Sequence, residues 1–298
     1  MKYADRLEAA LIERGNPCLV GLDPHLDLLP EEFAIARDES APRAERARAV
    51  EEFLLGIIEL AAGRVPAVKP QSAFFERLGA DGAVVWERVV AEARRAGLLV
   101  IGDVKRSDIA STARAYGQAF LEDAGEACCD AITVNPYLGA DSIEPLVEVC
   151  ERSNAGLYVL VRTSNPGSAL FQNHGNPPLT QVVADEVERW GSSLRGECGL
   201  SSIGAVVGAT HPAELAELRE RMPHTPLLIP GYGAQGAGAT ETISGFLPGG
   251  RGALVNSSRG ILYAWRKPEN RDKHWKDASL EAIETMIAEF REALSSPA

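Results

Sequence analysis

The chain has 298 residues, 45% hydrophobic and 24% charged, a balance that fits a soluble globular protein with a large core. Its net charge of −12, with no cluster of lysines and arginines, excludes the electrostatic footprint of a nucleic-acid binder. No window holds the roughly 18 unbroken apolar residues of a membrane span, and five cysteines without a CxxC pair, with five scattered histidines, offer no metal-ligand spacing.

The first predicted element is an amphipathic helix in MKYADRLEAALIERGNP. Tyr3, Leu7 and Leu11 recur on one face, and Gly15 and Pro17 stop it. The segment carries acids and lacks the apolar centre of a signal peptide, so a mature cytoplasmic chain is expected. Apolar runs then follow in order: CLVGLDP from Cys18, AVKPQ from Ala67, LLVIGDVK from Leu98 and AITVNPY from Ala131. GLYVLVRTS from Gly156, IGAVVGAT from Ile203, LLIPGYG from Leu227 and GALVNSS from Gly252 bring the number to eight. Continuous rather than alternating apolarity marks strands buried on both faces. Stretches with helical spacing separate them, such as ARAYGQAFLEDAGE and PAELAELRERM. With no Pro/Gly linker dividing the pattern, the expected fold is α/β: one (β/α)8 TIM-barrel domain spanning residues 1–298. A further helix from about Asp277 carries Leu280, Ile283, Ile287, Phe290 and Leu294 as a stripe expected to pack on the barrel exterior.

Polar residues gather where the apolar runs end: Asp23, Lys69, Asp103, Lys105, Asn135, Ser164, Thr210, Gln235 and Ser258. In such barrels the C-terminal ends of the strands hold the active site, so the pattern points to an enzyme. The loop NPGSALFQNHGNPPL, after the fifth run, is long enough to cover a bound ligand; His174 within it reads as solvent-exposed.

The densest charge lies in LLVIGDVKRSDIAST. On a strand, Asp103 and Lys105 face one space together, and Asp108 opens the next helix with Thr112 one turn along. Asp108 reads equally as a helix N-cap and as a functional group. A buried Asp103–Lys105 ion pair would be a weak source of stability, because desolvation offsets most of the attraction. With Lys69 and Asp23 on neighbouring strands, the alternating array favours catalysis. PGYGAQGAG, from Pro230, is a glycine-rich turn able to aim backbone N–H groups at an anion, and Arg259 follows the eighth run. Together they favour a phosphate grip built by the last two strand loops.

Asp103-Val-Lys105-Arg-Ser-Asp108 resembles the D-x-K-x-x-D signature of the orotidine 5′-phosphate decarboxylase family. GLDP at Gly21, VKPQSAFFE at Val68, SNPGS at Ser164, PGYGAQG and the late Arg259 match it along nearly the whole chain, in the manner of its longer bacterial subgroup. The resemblance implies removal of CO2 from orotidine 5′-monophosphate (OMP) to give UMP, with no metal and no organic cofactor. Lys105 would give the proton to C6 of the pyrimidine, and Asp103 would lie beside the departing carboxylate. Lys69 and Asp23 would hold the ribose hydroxyls, Ser164 the pyrimidine edge, and Gln235 and Arg259 the phosphate. Asp108 and Thr112 would come from the second subunit of a homodimer.

Two other readings remain open at this point. Magnesium-dependent sugar-phosphate enzymes, such as hexulose-phosphate synthase and ketogulonate-phosphate decarboxylase, share the fold and the motif. They carry a glutamate on the second strand where this chain has Lys69, and an ammonium cannot ligate a metal. A non-catalytic nucleotide-binding protein would keep the phosphate grip but would not need all of Lys69, Asp103, Lys105 and Asp108.

Overall fold

The computed structural model describes residues 1–209, 212–233 and 238–295. Each apolar run forms a strand: β1 Cys18–Leu22, β2 Ala67–Pro70, β3 Leu99–Arg106, β4 Ala131–Val134, β5 Gly156–Arg162, β6 Ile203–Val207, β7 Leu227–Pro230 and β8 Ala253–Ser257. Every strand pairs in parallel with the next, and β8 returns to β1, closing the barrel. Helices follow the strands around the outside, among them Ala110–Leu121 after β3 and Pro212–Arg221 after β6. The fold is the expected (β/α)8 TIM barrel with a helix at each end of the chain.

The strands are apolar throughout because both faces are buried. Outward residues such as Val20, Val68, Val100, Ile132, Ile203 and Val255 pack beneath the helices in one large core. Inward residues Leu19, Ala67, Ile101, Ala131, Tyr158, Val206, Leu228 and Leu254 form a second cluster inside the barrel. The strand period of two sorts neighbouring residues into these two cores.

The first helix, Tyr3–Arg14, lays Tyr3, Leu7 and Leu11 against that inner cluster and seals the N-terminal mouth. Gly15 ends it in the left-handed conformation (φ 62°), returning its N–H to the Leu11 carbonyl at 2.9 Å. Tyr3 and Tyr158 share a buried hydroxyl–hydroxyl hydrogen bond of 2.9 Å. Gly156 makes the close approach possible, since a Cβ there would lie 2.4 Å from the Tyr3 ring.

The last helix runs Trp275–Ser295, starting two residues before the expected Asp277. Its Ile283, Ile287 and Phe290 are buried on the barrel exterior as expected, but Leu280 and Leu294 are only half-buried. Trp275, Ala278 and Met286 complete the buried face instead. The Trp275 ring anchors the start of the helix, 5.0 Å from Phe53 and 5.8 Å from Phe33. Among the described residues, no helix is long and apolar enough to cross a membrane.

Candidate active site

The inner face of β3 changes character midway. Ile101 belongs to the apolar plug, while Asp103 and then Lys105 continue on the same side. The ladder to β4 shifts register between Gly102 and Arg106, and Lys105 takes a left-handed backbone conformation (φ 43°). For a residue with a Cβ that conformation costs on the order of 1–3 kcal/mol, and it persists only where surroundings fix it. Here the Lys105 N–H donates to Thr133 Oγ1 at 3.0 Å, on β4.

Asp103 is the centre of the site, with only 6% of its surface exposed. Lys69 Nζ lies 2.7 Å from Oδ2, and Gln71 Nε2 donates to the same oxygen at 3.0 Å. Thr133 Oγ1 donates to Oδ1 at 2.8 Å, and the Lys105 ammonium pairs with that oxygen too. Burial alone would raise the Asp103 carboxyl, but the two ammoniums outweigh it and hold it well below the usual carboxylate range. Burial acts to lower the Lys69 ammonium, yet Asp103 and Asp23 together raise it. The pair therefore stays charged: a fixed anion between two cations.

This array opens into a cavity of about 490 Å³ at the C-terminal mouth of the barrel. Leu160, Val206 and Leu228 give it an apolar floor; Asp23, Ser164 and Arg259 stand on its walls. Asp23 follows β1, and its carbonyl accepts from Tyr263 Oη at 2.8 Å, while Tyr263 accepts from the His25 N–H at 2.7 Å. Asp23 Oδ1 and Asn256 Oδ1 are buried without a hydrogen-bond partner among the described residues, so both can accept from a bound molecule. Burial lowers the His25 imidazole, Asp23 raises it and Arg259 lowers it, with a net downward shift. Arg259 opens a short helix, Arg259–Leu262, beside the rim formed by Pro230, Gly231 and Tyr232.

The structure therefore gathers Asp23, Lys69, Asp103, Lys105, Ser164 and Arg259 around one space. Asp108 and Thr112 lie outside that cavity. Strand β3 runs on to Arg106, so Asp108 falls in the connector and not at the helix start. Ile109 is the N-cap residue, and Asp108 Oδ1 accepts from the Ile109 N–H at 2.8 Å, so the N-cap reading of Asp108 is not realised. Thr112 is exposed on the helix. Asn135 turns away from the cavity, accepting from the Tyr137 N–H at 3.0 Å, because β4 ends one residue earlier at Val134. Gln235 and Thr210 lie outside the described residues. His174 is exposed. Gln71 and Thr133 are site residues that the charge pattern misses. Thr133 stands two residues after Ala131 on β4, and Gln71, one residue past the end of β2, continues the same period from Lys69, which is the signal that could have found them.

A closed parallel barrel carrying a Lys–Asp–Lys array at its C-terminal mouth defines a TIM-barrel protein with an enzyme-like site at the usual end of that fold. The chain belongs to the orotidine 5′-phosphate decarboxylase / HUMPS family, whose model matches residues 19–271. It is 44% identical to the orotidine 5′-phosphate decarboxylase of Rhodopirellula baltica over 288 residues, covering 93% of this chain and 95% of that one. It is 39% identical to the enzyme of the same name from Clostridium novyi, with 96% and 97% covered. The solved structure of Leishmania donovani OMP decarboxylase superposes with a TM-score of 0.75 at 30% identity, covering 100% of both chains.

Proposed function

We propose that this protein, acting as one barrel unit, decarboxylates OMP to UMP and CO2 in pyrimidine biosynthesis, with Lys105 delivering the proton to C6. The observation that carries this reading is Asp103 held between the Lys69 and Lys105 ammoniums in the barrel mouth. The full-length relatives that bear the decarboxylase name support the substrate.

The chemistry asks for this arrangement. Loss of CO2 leaves a carbanion at C6 that the ring does not readily delocalise, so charge must be met directly. Lys105 supplies both the facing cation and the proton. Asp103 keeps Lys69 protonated, because a nearby negative charge favours the charged form of an amine. It also sets a carboxylate beside the one that must leave. Lys69 and Asp23 take the ribose hydroxyls, Ser164 the edge of the pyrimidine, and Gln235 and Arg259 the phosphate. The reaction runs without a metal or organic cofactor in this reading. Its support is Lys69, whose ammonium stands where a divalent ion would need a carboxylate.

Asp108 and Thr112 act across a homodimer interface in the same proposal. Exposed apolar side chains flank them on the loops after β3, β4 and β5: Ile109, Tyr137, Leu138, Leu170 and Phe171. A second copy covering this sector would bring its Asp108 toward the cavity.

The test is the ultraviolet absorbance loss of OMP with purified protein in excess EDTA. Turnover that survives EDTA is the expected result. Turnover that appears only with magnesium, or UMP binding without turnover, would contradict the reading.

A further inference from the structure

Ser164 is the residue proposed to meet the pyrimidine, and nothing about its own contacts explains how it is aimed. The answer lies one layer outward. Arg162, the last residue of β5, is a buried guanidinium (side chain 4% exposed) that does not line the cavity. Its Nε donates to Glu214 Oε2 at 2.6 Å on the helix after β6. Its Nη1 donates to Ser168 Oγ at 2.7 Å and to Gln172 Oε1 at 3.3 Å. Gln172 belongs to the long loop after β5, in the short helix Ala169–Gln172.

Gln172 uses both ends of its amide on one neighbour. Oε1 accepts from the Thr163 N–H at 3.0 Å, and Nε2 donates to Thr163 Oγ1 at 2.8 Å. The orientation is forced, since a flipped amide would turn its NH2 toward two donors. Thr163 Oγ1 in turn donates a hydrogen bond to Asn165 Oδ1 at 2.6 Å. Ser164 thus sits between two residues held by one chain of hydrogen bonds. From beneath, it rests on Gly208, where an added Cβ would lie 3.0 Å from the Ser164 Cβ. Thr163, Ser164 and Asn165 all line the cavity.

We infer that Gln172, braced by the buried Arg162, is a positioning residue for recognition of the pyrimidine ring. It fixes the Thr163–Ser164–Asn165 segment without touching substrate, and it ties the root of the long loop to the strand end. The inference rests on the functional reading above. Its signature is selective: interactions with the base depend on Gln172, and interactions with the ribose phosphate, which belong to Asp23, Lys69 and Arg259, do not.

The experiment compares inhibition by UMP and by ribose 5-phosphate in wild type and Gln172→Ala. UMP should bind about tenfold more weakly to the variant, the size of one or two lost hydrogen bonds. Ribose 5-phosphate should inhibit both proteins equally, and the KM for OMP should rise with the UMP constant. In a Ser164→Ala background, Gln172→Ala should add nothing further, because the two residues act as one unit. If Gln172→Ala lowers the melting midpoint, Gln172→Glu decides. It keeps the contacts to Arg162 and the Thr163 N–H but sets an oxygen against Thr163 Oγ1, whose proton goes to Asn165. With a restored midpoint, UMP should therefore still bind several-fold more weakly while ribose 5-phosphate is unchanged; wild-type UMP affinity overturns the inference. Unchanged UMP binding in Gln172→Ala, or parallel weakening of both inhibitors, overturns it as well. A wild type that turns over OMP while Gln172→Ala behaves identically sinks this inference alone. A wild type that neither turns over OMP nor binds UMP sinks the functional reading with it.

Discussion

The two mouths of the barrel are made by the same strands and differ in almost every physical respect. At the N-terminal mouth, Ile101 meets Tyr3, Leu7 and Leu11 in a sealed apolar plug. Two residues further along β3, Asp103 sits among Lys69, Lys105, Gln71 and Thr133 at the edge of an open cavity. One end stores stability through burial, whereas the other holds three charges and a left-handed lysine that cost stability to keep. The period of two along a strand lets one chain serve both ends without conflict. Substitutions at the two mouths should therefore fail in different ways.

The largest expected effect is at the charged mouth. Lys105→Ala should lower kcat by on the order of 10³-fold or more, since it removes both proton donor and electrostatic partner. Its melting midpoint should stay near that of wild type, because the lysine side chain is 45% exposed. A midpoint that collapses instead would mean that the array is structural. Arg259→Ala should reduce kcat/KM on the order of 100-fold, as expected for a lost charged contact to phosphate. Near-normal kinetics in that variant would remove Arg259 from the site.

At the sealed mouth the same size of change should appear as stability. Leu7 is fully buried, so Leu7→Ala should cost about 2–5 kcal/mol in urea unfolding, with kcat per folded molecule unchanged. The smallest effect concerns pH. The Asp103 carboxyl lies below its ordinary value near 3.9, so its contribution is complete above about pH 4 and is lost as pH falls through the folded value. Lys69 is raised, so its contribution holds below its ordinary value near 10.4 and is lost as pH rises through the folded value. The stability gap between wild type and the double variant Lys69→Met/Asp103→Asn, which removes the buried pair together, should thus be flat from about pH 5 to 9 and change in stronger acid and again in stronger base. A gap that varied across neutral pH would contradict the charge assignment.

Much of this contrast was legible in the sequence, for reasons that the structure makes plain. All eight strands were readable because burial on both faces leaves unbroken apolar runs. Asp23, Lys69, Asp103 and Lys105 stood out because a charge at the end of a buried run must be matched by a partner or a ligand. Uncharged groups did not announce themselves. Thr133 is a small hydroxyl inside an apolar run, and the eye passes on to Asn135, which the end of β4 turns elsewhere. The placement of Asp108 failed for a related reason. Nothing in RSDIAST tells that β3 extends to Arg106 and delays the helix to Ala110. The register shift around Lys105 and its left-handed backbone belong to the β3–β4 ladder, and the brace through Arg162 and Gln172 joins a strand to a loop ten residues on. Neither is written in any local pattern.

The most direct measurement sets Lys105→Ala beside Leu7→Ala and reads, for each, OMP turnover per folded molecule together with the melting midpoint. The account predicts opposite outcomes: turnover lost and midpoint kept in the first, midpoint lowered and turnover kept in the second. Wild-type turnover in Lys105→Ala, or loss of turnover per folded molecule in Leu7→Ala, would contradict it.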